Sequence, residues 1–271
     1  MEAQVGKRVN THNIWRILNR EYRRLATGFC FFVFMTAGLV GSLLVLPVIR
    51  LLPLAPRRKN DLSLDFVQRG MGLFTRMMVF VRVIRLFETM GLENLRDDGP
   101  YLFIANHPTL IDVVNLMGLV PRCNCIVKKE LFHHPFMAGV ARGAGLLPND
   151  AGVDLLARIE EEITHGRSLM IFPEGTRSPM GGLNPFNRGA ARIALYTGLR
   201  VVPVVITCEP STLRKGQAWY EIPERAIDFR VRFLEPLPVE KQSSDAGERP
   251  KQVRAFNRGL EQRIKKELGF L

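Results

Sequence analysis

The stretch IANHPTLIDVVN runs from Ile104 to Asn115. An apolar run leads in, another leads out, and a histidine, a proline and an aspartate sit around the reversal between them. Tyr101–Ala105 reads as a strand and Ile111–Leu119 as a helix, so the stretch is a strand, a turn and the start of a helix. On a regular helix, positions 107 and 112 would stand ~140° apart and would not face each other. Contact requires His107 to lie in the turn, with the helix starting near Pro108 or Thr109, and proline suits a first helical position. Asp112 can then hold one ring nitrogen of His107, which fixes the tautomer and leaves the other nitrogen as a general base. No Ser or Cys nucleophile stands nearby and Thr109 is a poor substitute, so the base is expected to activate a hydroxyl that the substrate brings. A helix-capping turn with a satisfied histidine fits the same residues.

The alternation continues outward. Further strand candidates are Asn124–Lys128, Ser168–Phe172, Arg200–Thr207 and Asp228–Leu234, and further helix candidates are Phe132–Gly143, Asp154–His165 and Asn187–Tyr196. This order predicts an α/β domain with a mixed or largely parallel sheet flanked by helices. Pro203, inside VVPVVI, points to an edge strand or a bulge. The tail KQVRAFNRGLEQRIKKELGFL predicts an amphipathic helix with Val253, Phe256, Leu260, Ile264 and Leu268 in one stripe and a basic opposite face.

Three unusual loops each follow a strand candidate: NHPTLID, KKELFHHP (Lys128–Pro135) and FPEGTRSP (Phe172–Pro179). Functional groups in α/β sheets gather at the carboxyl ends of strands, so parallel strands would bring all three to one rim. Gly175 allows a tight turn, and Arg177 can grip a phosphate with two parallel hydrogen bonds. Glu174 can order that arginine or a substrate hydroxyl. Lys128 and Lys129 read either as site cations or as solvated surface lysines.

The chain has 271 residues, 46% of them hydrophobic, and a formal charge of +12. Residues 1–60 hold ten Lys or Arg against two acids, so +8 of that excess lies in the first 60 positions. The positives flank Ala26–Ile49, 24 residues without a charge. As a helix this is ~36 Å, enough for a hydrocarbon core of ~30 Å. Its length and late start disfavour a signal peptide. The pattern favours a membrane over nucleic acid, which would call for basic residues spread over a folded face with aromatics between them. Arginines on both sides leave a spanning helix and a re-entrant or in-plane hairpin open. Leu64–Leu92 reads as a second helix, at the membrane interface or packed on the α/β domain, interrupted by Arg69, Arg76, Arg82 and Arg85. The organisation expected is therefore a membrane-associated helical pair over 1–92, the α/β domain over 93–238, and a linker (VEKQSSDAGERP) with the basic helix over 239–271. Cys30, Cys123, Cys125 and Cys208 read as reduced thiols, as in a domain on the cytosolic side. Neither the C-x-C pair nor His133–His134 has the spacing of a closed zinc site.

The motifs resemble those of the glycerolipid acyltransferases, the family of 1-acylglycerol-3-phosphate (lysophospholipid) acyltransferases. NHPTLID matches the family's H-x4-D motif and FPEGTRS its third motif. KKELFHHPFMAGVARGAGLLP resembles the second and VVPVVI the fourth, and the resemblance covers roughly Asp97 to Cys208. It implies O-acyl transfer from acyl-CoA or acyl carrier protein to the hydroxyl of a lyso-lipid, with no further cofactor and no metal. His107 would be the base and Asp112 its orienter. Arg177 and Lys128 would bind acceptor phosphate or the oxyanion, Glu174, Gly175 and Thr176 would shape the acceptor site, and Val202–Ile206 would line it. The family's N-terminal helical pair dips into the membrane, which implies a membrane protein with its catalytic domain on the cytoplasmic face, the inner membrane if bacterial. Two positions depart from the pattern. LLPNDAG (Leu146–Gly152) lacks the arginine usual at the end of the second motif, and Pro108–Thr109 stands where Lys- or Gln-Ser-like pairs are more usual. These departures keep open an acceptor outside the glycerol phosphates, such as a lyso-ornithine lipid or a specialised polyene lipid. A catalytically idle lipid-binding protein and a hydrolase are the remaining alternatives.

Overall fold

The computed structural model describes residues 11–95, 99–149, 152–241 and 249–270. Its N-terminal part is helical: α1 (Thr11–Val40) passes through a π-helical turn, Gly41–Val45, into α2 (Leu46–Leu51), and α3 (Pro56–Phe80) returns. The strands and helices that follow are β1 (Ile84–Met90), β2 (Tyr101–Ala105), α4 (Asp112–Leu119), β3 (Cys123–Val127), α5 (Ala138–Gly143) and β4 (Leu147–Pro148). Then come α6 (Gly152–Thr164), β5 (Ser168–Ile171), α7 (Gly189–Thr197), β6 (Arg200–Glu209), β7 (Ile227–Phe233) and α8 (Arg249–Glu267). Residues 242–248 of the expected linker, and Asp150 and Ala151 of LLPNDAG, lie outside the described residues.

The seven strands form one sheet in the order β1-β7-β6-β2-β5-β3-β4. Every neighbouring pair is parallel except β6 with β7. Strand β2 shows why the sheet is sandwiched. Tyr101, Phe103 and Ala105 face a core shared with Leu64, Met78 and Leu116, whereas Leu102 and Ile104 face a second core shared with Ile159, Ile193, Leu260 and Ile264. A strand apolar on both faces must be covered on both. Helices α3 and α4 contribute to one cover, and α6, α7 and α8 to the other. The predicted stripe of α8 is seated as expected: Val253, Leu260 and Ile264 are buried, and Phe256 and Leu268 pack against the second core.

Two expectations are corrected. Leu64–Leu92 is not one helix. Helix α3 ends at Phe80, Arg82 takes a left-handed backbone (φ 58°), and Ile84–Met90 pairs with β7 as an edge strand. Within that strand Ile84 and Thr89 are β-branched and Phe87 is aromatic, types that suit a pleated sheet better than a helix. Arg85, expected to reach head groups, instead pairs with the buried Asp228. Strand β6 is interior, not an edge. Pro203 is tolerated because it sits where the β6–β7 ladder ends: Val204 opposite Phe233 is the last β6–β7 pair, and the Pro203 carbonyl still accepts from Leu234 N–H at 2.9 Å. The proline costs only a terminal rung.

Helix α3 is fixed to the sheet layer. The Gln68 amide donates to the carbonyls of Val120 (2.9 Å) and Cys123 (3.0 Å), and the Thr75 hydroxyl donates to Asn115 Oδ1 (2.8 Å). Helices α3 and α4 cross at Gly72 and Gly118, where a Cβ on Gly118 would lie 2.7 Å from the Gly72 nitrogen and 2.8 Å from its Cα. Backbone cannot yield as a flexible side chain can. Gly118→Ala is therefore expected to cost about 1–3 kcal/mol of stability through forced separation of the helices. Thermal unfolding of the detergent-purified protein measures it, and an unchanged midpoint would show that α3 and α4 part freely.

Candidate active site

The carboxyl ends of β2, β5, β3 and β6 lie on one rim, because these strands run parallel. All three loops singled out in the sequence are there. Ile104 lies opposite Ile171, so the chain leaving β2 runs beside the chain leaving β5. Ala105 lies opposite Val204, which brings Asn106 against β6. The buried Asn106 amide donates to the Ile206 carbonyl (2.9 Å) and accepts from Ile206 N–H (2.7 Å), taking over the ladder where β2 ends.

His107 and Asp112 do meet, with His107 Nδ1 2.7 Å from Asp112 Oδ2. The helix starts at Asp112 itself, later than Pro108 or Thr109, so the turn is longer than expected and still returns Asp112 beneath the ring. Thr109 is no exposed nucleophile. It is fully buried, its N–H donates to Asp112 Oδ2 (2.7 Å) and its hydroxyl donates to Asp112 Oδ1 (2.6 Å). Burial pushes the Asp112 carboxyl up from the usual carboxylate range, and the hydrogen bonds from His107 and Thr109 pull it back. A carboxylate only accepts, so its three donors place the shared proton on Nδ1 and leave Nε2 with its lone pair. The ring rests on Phe172, with centroids 4.6 Å apart, and the histidine side chain is 18% exposed.

Glu174 turns away from Arg177. Its Oε1 accepts from His107 N–H (2.9 Å) and the Ser178 hydroxyl (2.6 Å), and its Oε2 accepts from Asn184 N–H (2.9 Å) and the Asn184 amide (3.0 Å). Ser178 N–H returns a bond to the His107 carbonyl at 2.7 Å. Gly175 has φ +66°, a left-handed backbone conformation that calls for glycine. Arg177 spends one guanidinium nitrogen on the carbonyls of Leu213 (2.7 Å) and Arg214 (3.0 Å). Burial pulls its pKa below the usual arginine value, against the opposing charge of Asp112. Lys128 is exposed at the end of β3.

One cavity of about 850 Å³ is lined by His107, Lys128, Gly175, Thr176 and Arg177 together. On the α1–α3–α4 side its walls are apolar, with Phe31, Phe34, Met71, Phe74, Val113 and Met117 among them. Of the residues predicted for the site, Asp112, Glu174 and Val202–Ile206 are absent from this lining: Asp112 and Glu174 each stand behind a residue that reaches it, whereas Val202–Ile206, expected to line the site, are buried within the interior strand β6. Asn106, Ser178 and Asn184 were not anticipated. Asn106 and Ser178 stand inside the quoted motifs, but Asn106 takes its role from Ile206 on β6, and Ser178 takes its role from Glu174 in its own loop and His107 in the loop after β2. Asn184 gives no local signal, being ten residues from Glu174 along an irregular segment.

Residues 87–207 match the family model described as Acyltransferase. A chloroplastic 1-acyl-sn-glycerol-3-phosphate acyltransferase of Brassica napus is 36% identical over 125 residues, which are 44% of this chain and 36% of that protein. The human 1-acyl-sn-glycerol-3-phosphate acyltransferase alpha is 28% identical over 225 residues, 79% of this chain and 75% of its own length. The yeast 1-acyl-sn-glycerol-3-phosphate acyltransferase is 33% identical over 177 residues, 62% of this chain and 57% of that protein. Against the Brassica protein, then, the match spans about a third of the relative's length. The crystal structure of the 1-acyl-sn-glycerophosphate acyltransferase PlsC from Thermotoga maritima superposes with a TM-score of 0.63 at 24% identity, over 91% of this chain and 97% of that one, a likeness of fold.

Glu174 acts through the backbone of His107, so its effect is one of position. Glu174→Gln replaces an acceptor oxygen with a donor facing donors, and is expected to lower kcat by about 10–100-fold through displacement of the imidazole. Acceptor KM should move far less. An equal rise in KM would mean that Glu174 contacts substrate.

Proposed function

We propose, from the match of residues 87–207 to the Acyltransferase family model, that the chain is a membrane-attached O-acyltransferase. It moves a fatty acyl group from acyl-CoA or acyl carrier protein to the free hydroxyl of a 1-acylglycerol-3-phosphate-type lysophospholipid. The observation that carries the reading is the His107–Asp112 contact of 2.7 Å at the wall of a largely apolar cavity. Nε2 takes the proton of the acceptor hydroxyl as its oxygen attacks the thioester carbonyl. The tetrahedral intermediate collapses with cleavage of the C–S bond, and the imidazolium returns the proton to the leaving thiolate. Asp112 holds the tautomer and offsets the positive charge that develops on the ring. Arg177 and Lys128 carry positive charge for the acceptor phosphate or the oxyanion, Thr176 and Gly175 shape the acceptor side, and the apolar limb takes hydrocarbon.

Membrane attachment falls on the N-terminal helices, ahead of β1, the first strand of the α/β sheet. Ile14–Leu51 is one helix of 38 residues, apolar and long enough to cross a membrane, with a peak mean hydropathy of 2.4. One side of it packs on the domain along its middle, with Gly28 against Trp219 and Gly38 against Phe136 and Met137. The other side exposes Trp15, Leu25, Phe32, Leu43 and Leu51. At 1.5 Å per residue the helix is ~57 Å long, against ~30 Å for a hydrocarbon core. That geometry supports a helix lying in one leaflet on the cytoplasmic face, with the cavity opening towards lipid.

The segment ending in LLPNDAG reaches the cavity at Asn149, without the second-motif arginine. This favours keeping lyso-ornithine lipids among the acceptors tested. Purified protein is assayed with acyl-CoA and acyl carrier protein against lysophosphatidate and lyso-ornithine lipid. Transfer to lysophosphatidate is expected, with His107→Ala losing about 10²–10⁴-fold. Asp112→Asn, which keeps shape but favours the wrong tautomer, should lose up to about 10⁴-fold. Full turnover by both variants would overturn the mechanism, and fatty acid release without acceptor would make the protein a hydrolase.

A further inference from the structure

A fourth loop shares the rim. Residues 210–226, between β6 and β7, carry none of the motifs read from the sequence, yet Leu213, Lys215 and Arg225 line the same cavity as His107. We propose that this loop is a phosphate subsite, in which Lys215 and Arg225 bind the anionic headgroup of the acyl acceptor; the assignment rests on the O-acyltransferase reading above.

Each cation follows a stretch of backbone pinned by a buried or half-buried arginine that also lines the cavity. Arg177 donates to the carbonyls of Leu213 and Arg214, immediately before Lys215. Arg23, from α1, donates to the carbonyls of Pro223 (2.8 Å) and Glu224 (2.6 Å), immediately before Arg225. Leu110 N–H also donates to the Leu213 carbonyl at 3.2 Å, which ties the loop to the turn that holds His107. Leu213 is held at φ +52°, a left-handed conformation that a branched side chain adopts at a cost and that persists where the surroundings impose it. The loop is thus fixed at both shoulders, and its two cavity-lining cations are set at the mouth.

Lys215 is not neutralised in place, and Arg225 only shares a counter-ion. Lys215 has no ion pair or hydrogen bond to a side chain among the described residues. Arg225 stands 3.9 Å from Asp228 Oδ2, but Arg85 grips both oxygens of that carboxylate. Glu224, the nearest acid in sequence, is paired to Arg16 at 3.2 Å. The phosphate of the acceptor is assigned here over that of the donor because the same loop faces the lipid side. Trp219 packs on Gly28 and Phe31 of α1, and Trp219 and Tyr220 stay about half exposed beside that helix. Cations on this loop also supply the positive charge that LLPNDAG does not.

The test uses the full chain in detergent micelles, titrated separately with lysophosphatidate, coenzyme A and inorganic phosphate, and assayed for acyl transfer. Both side chains are exposed, and circular dichroism checks that the variants stay folded. Lys215→Gln with Arg225→Gln is expected to weaken lysophosphatidate binding by about tenfold or more, while coenzyme A binding holds. The loss should appear in acceptor KM rather than kcat, and Lys215→Arg should restore most of it. Unchanged lysophosphatidate affinity in the double variant overturns the subsite, as does a loss confined to coenzyme A or inorganic phosphate. Wild-type protein that binds lysophosphatidate through these residues without transferring an acyl group would overturn the catalytic reading and leave the subsite standing. Turnover with acceptor KM unmoved in the double variant would do the reverse.

Discussion

A buried carboxylate must be satisfied, and around Glu174 that requirement organises the site. Glu174 is only 5% exposed, and an unpaired charge in such a place costs several kcal/mol. It has four donors, and one of them is the backbone N–H of His107. The loop after β5 therefore cannot close without fixing the loop after β2. His107 is held in position through its backbone by a residue 67 positions away. Asp112 repeats the logic one layer down, with its donors drawn from its own turn.

The site and the N-terminal helices form one object. Phe31 and Phe34 of α1, with Met71 and Phe74 of α3, wall the cavity that His107 faces. Close contacts hold the helices: Gly72 meets Gly118 backbone to backbone, and the Trp219 ring packs on Gly28. Arg23 then links α1 to the loop between β6 and β7, and Arg177 links that loop to the rim. Whatever surface the outer side of α1 touches is coupled through a few hydrogen bonds to the mouth of the cavity.

Much of this was legible along the chain. Tyr101–Ala105 was readable to the residue because an apolar run between a Gly-Pro and a His-Pro boundary has one plausible extent. The β5, α4 and α7 segments follow the same reasoning within a residue or two. The strand at Ile84–Met90 was not readable, because Leu64–Leu92 is apolar throughout and its period does not separate helix from strand. Only pairing with β7, more than 130 residues later, decides it. The two-residue strand β4 is too short to carry any pattern.

By itself the sequence determined the α/β alternation, the apolar N-terminal segment and the pairing of His107 with Asp112. These are local matters: burial pattern, charge-free length, and two residues in one turn. The tertiary structure decided what each charged group in the site does. Glu174 became a clamp, Thr109 a donor, Arg177 an anchor for a distant loop, and Lys215 and Arg225 lining of the cavity that His107 faces. A charged or polar side chain has no fixed role until its partners are set. Here the parallel register of β2, β5 and β6 brings those partners from segments that lie far apart in the chain.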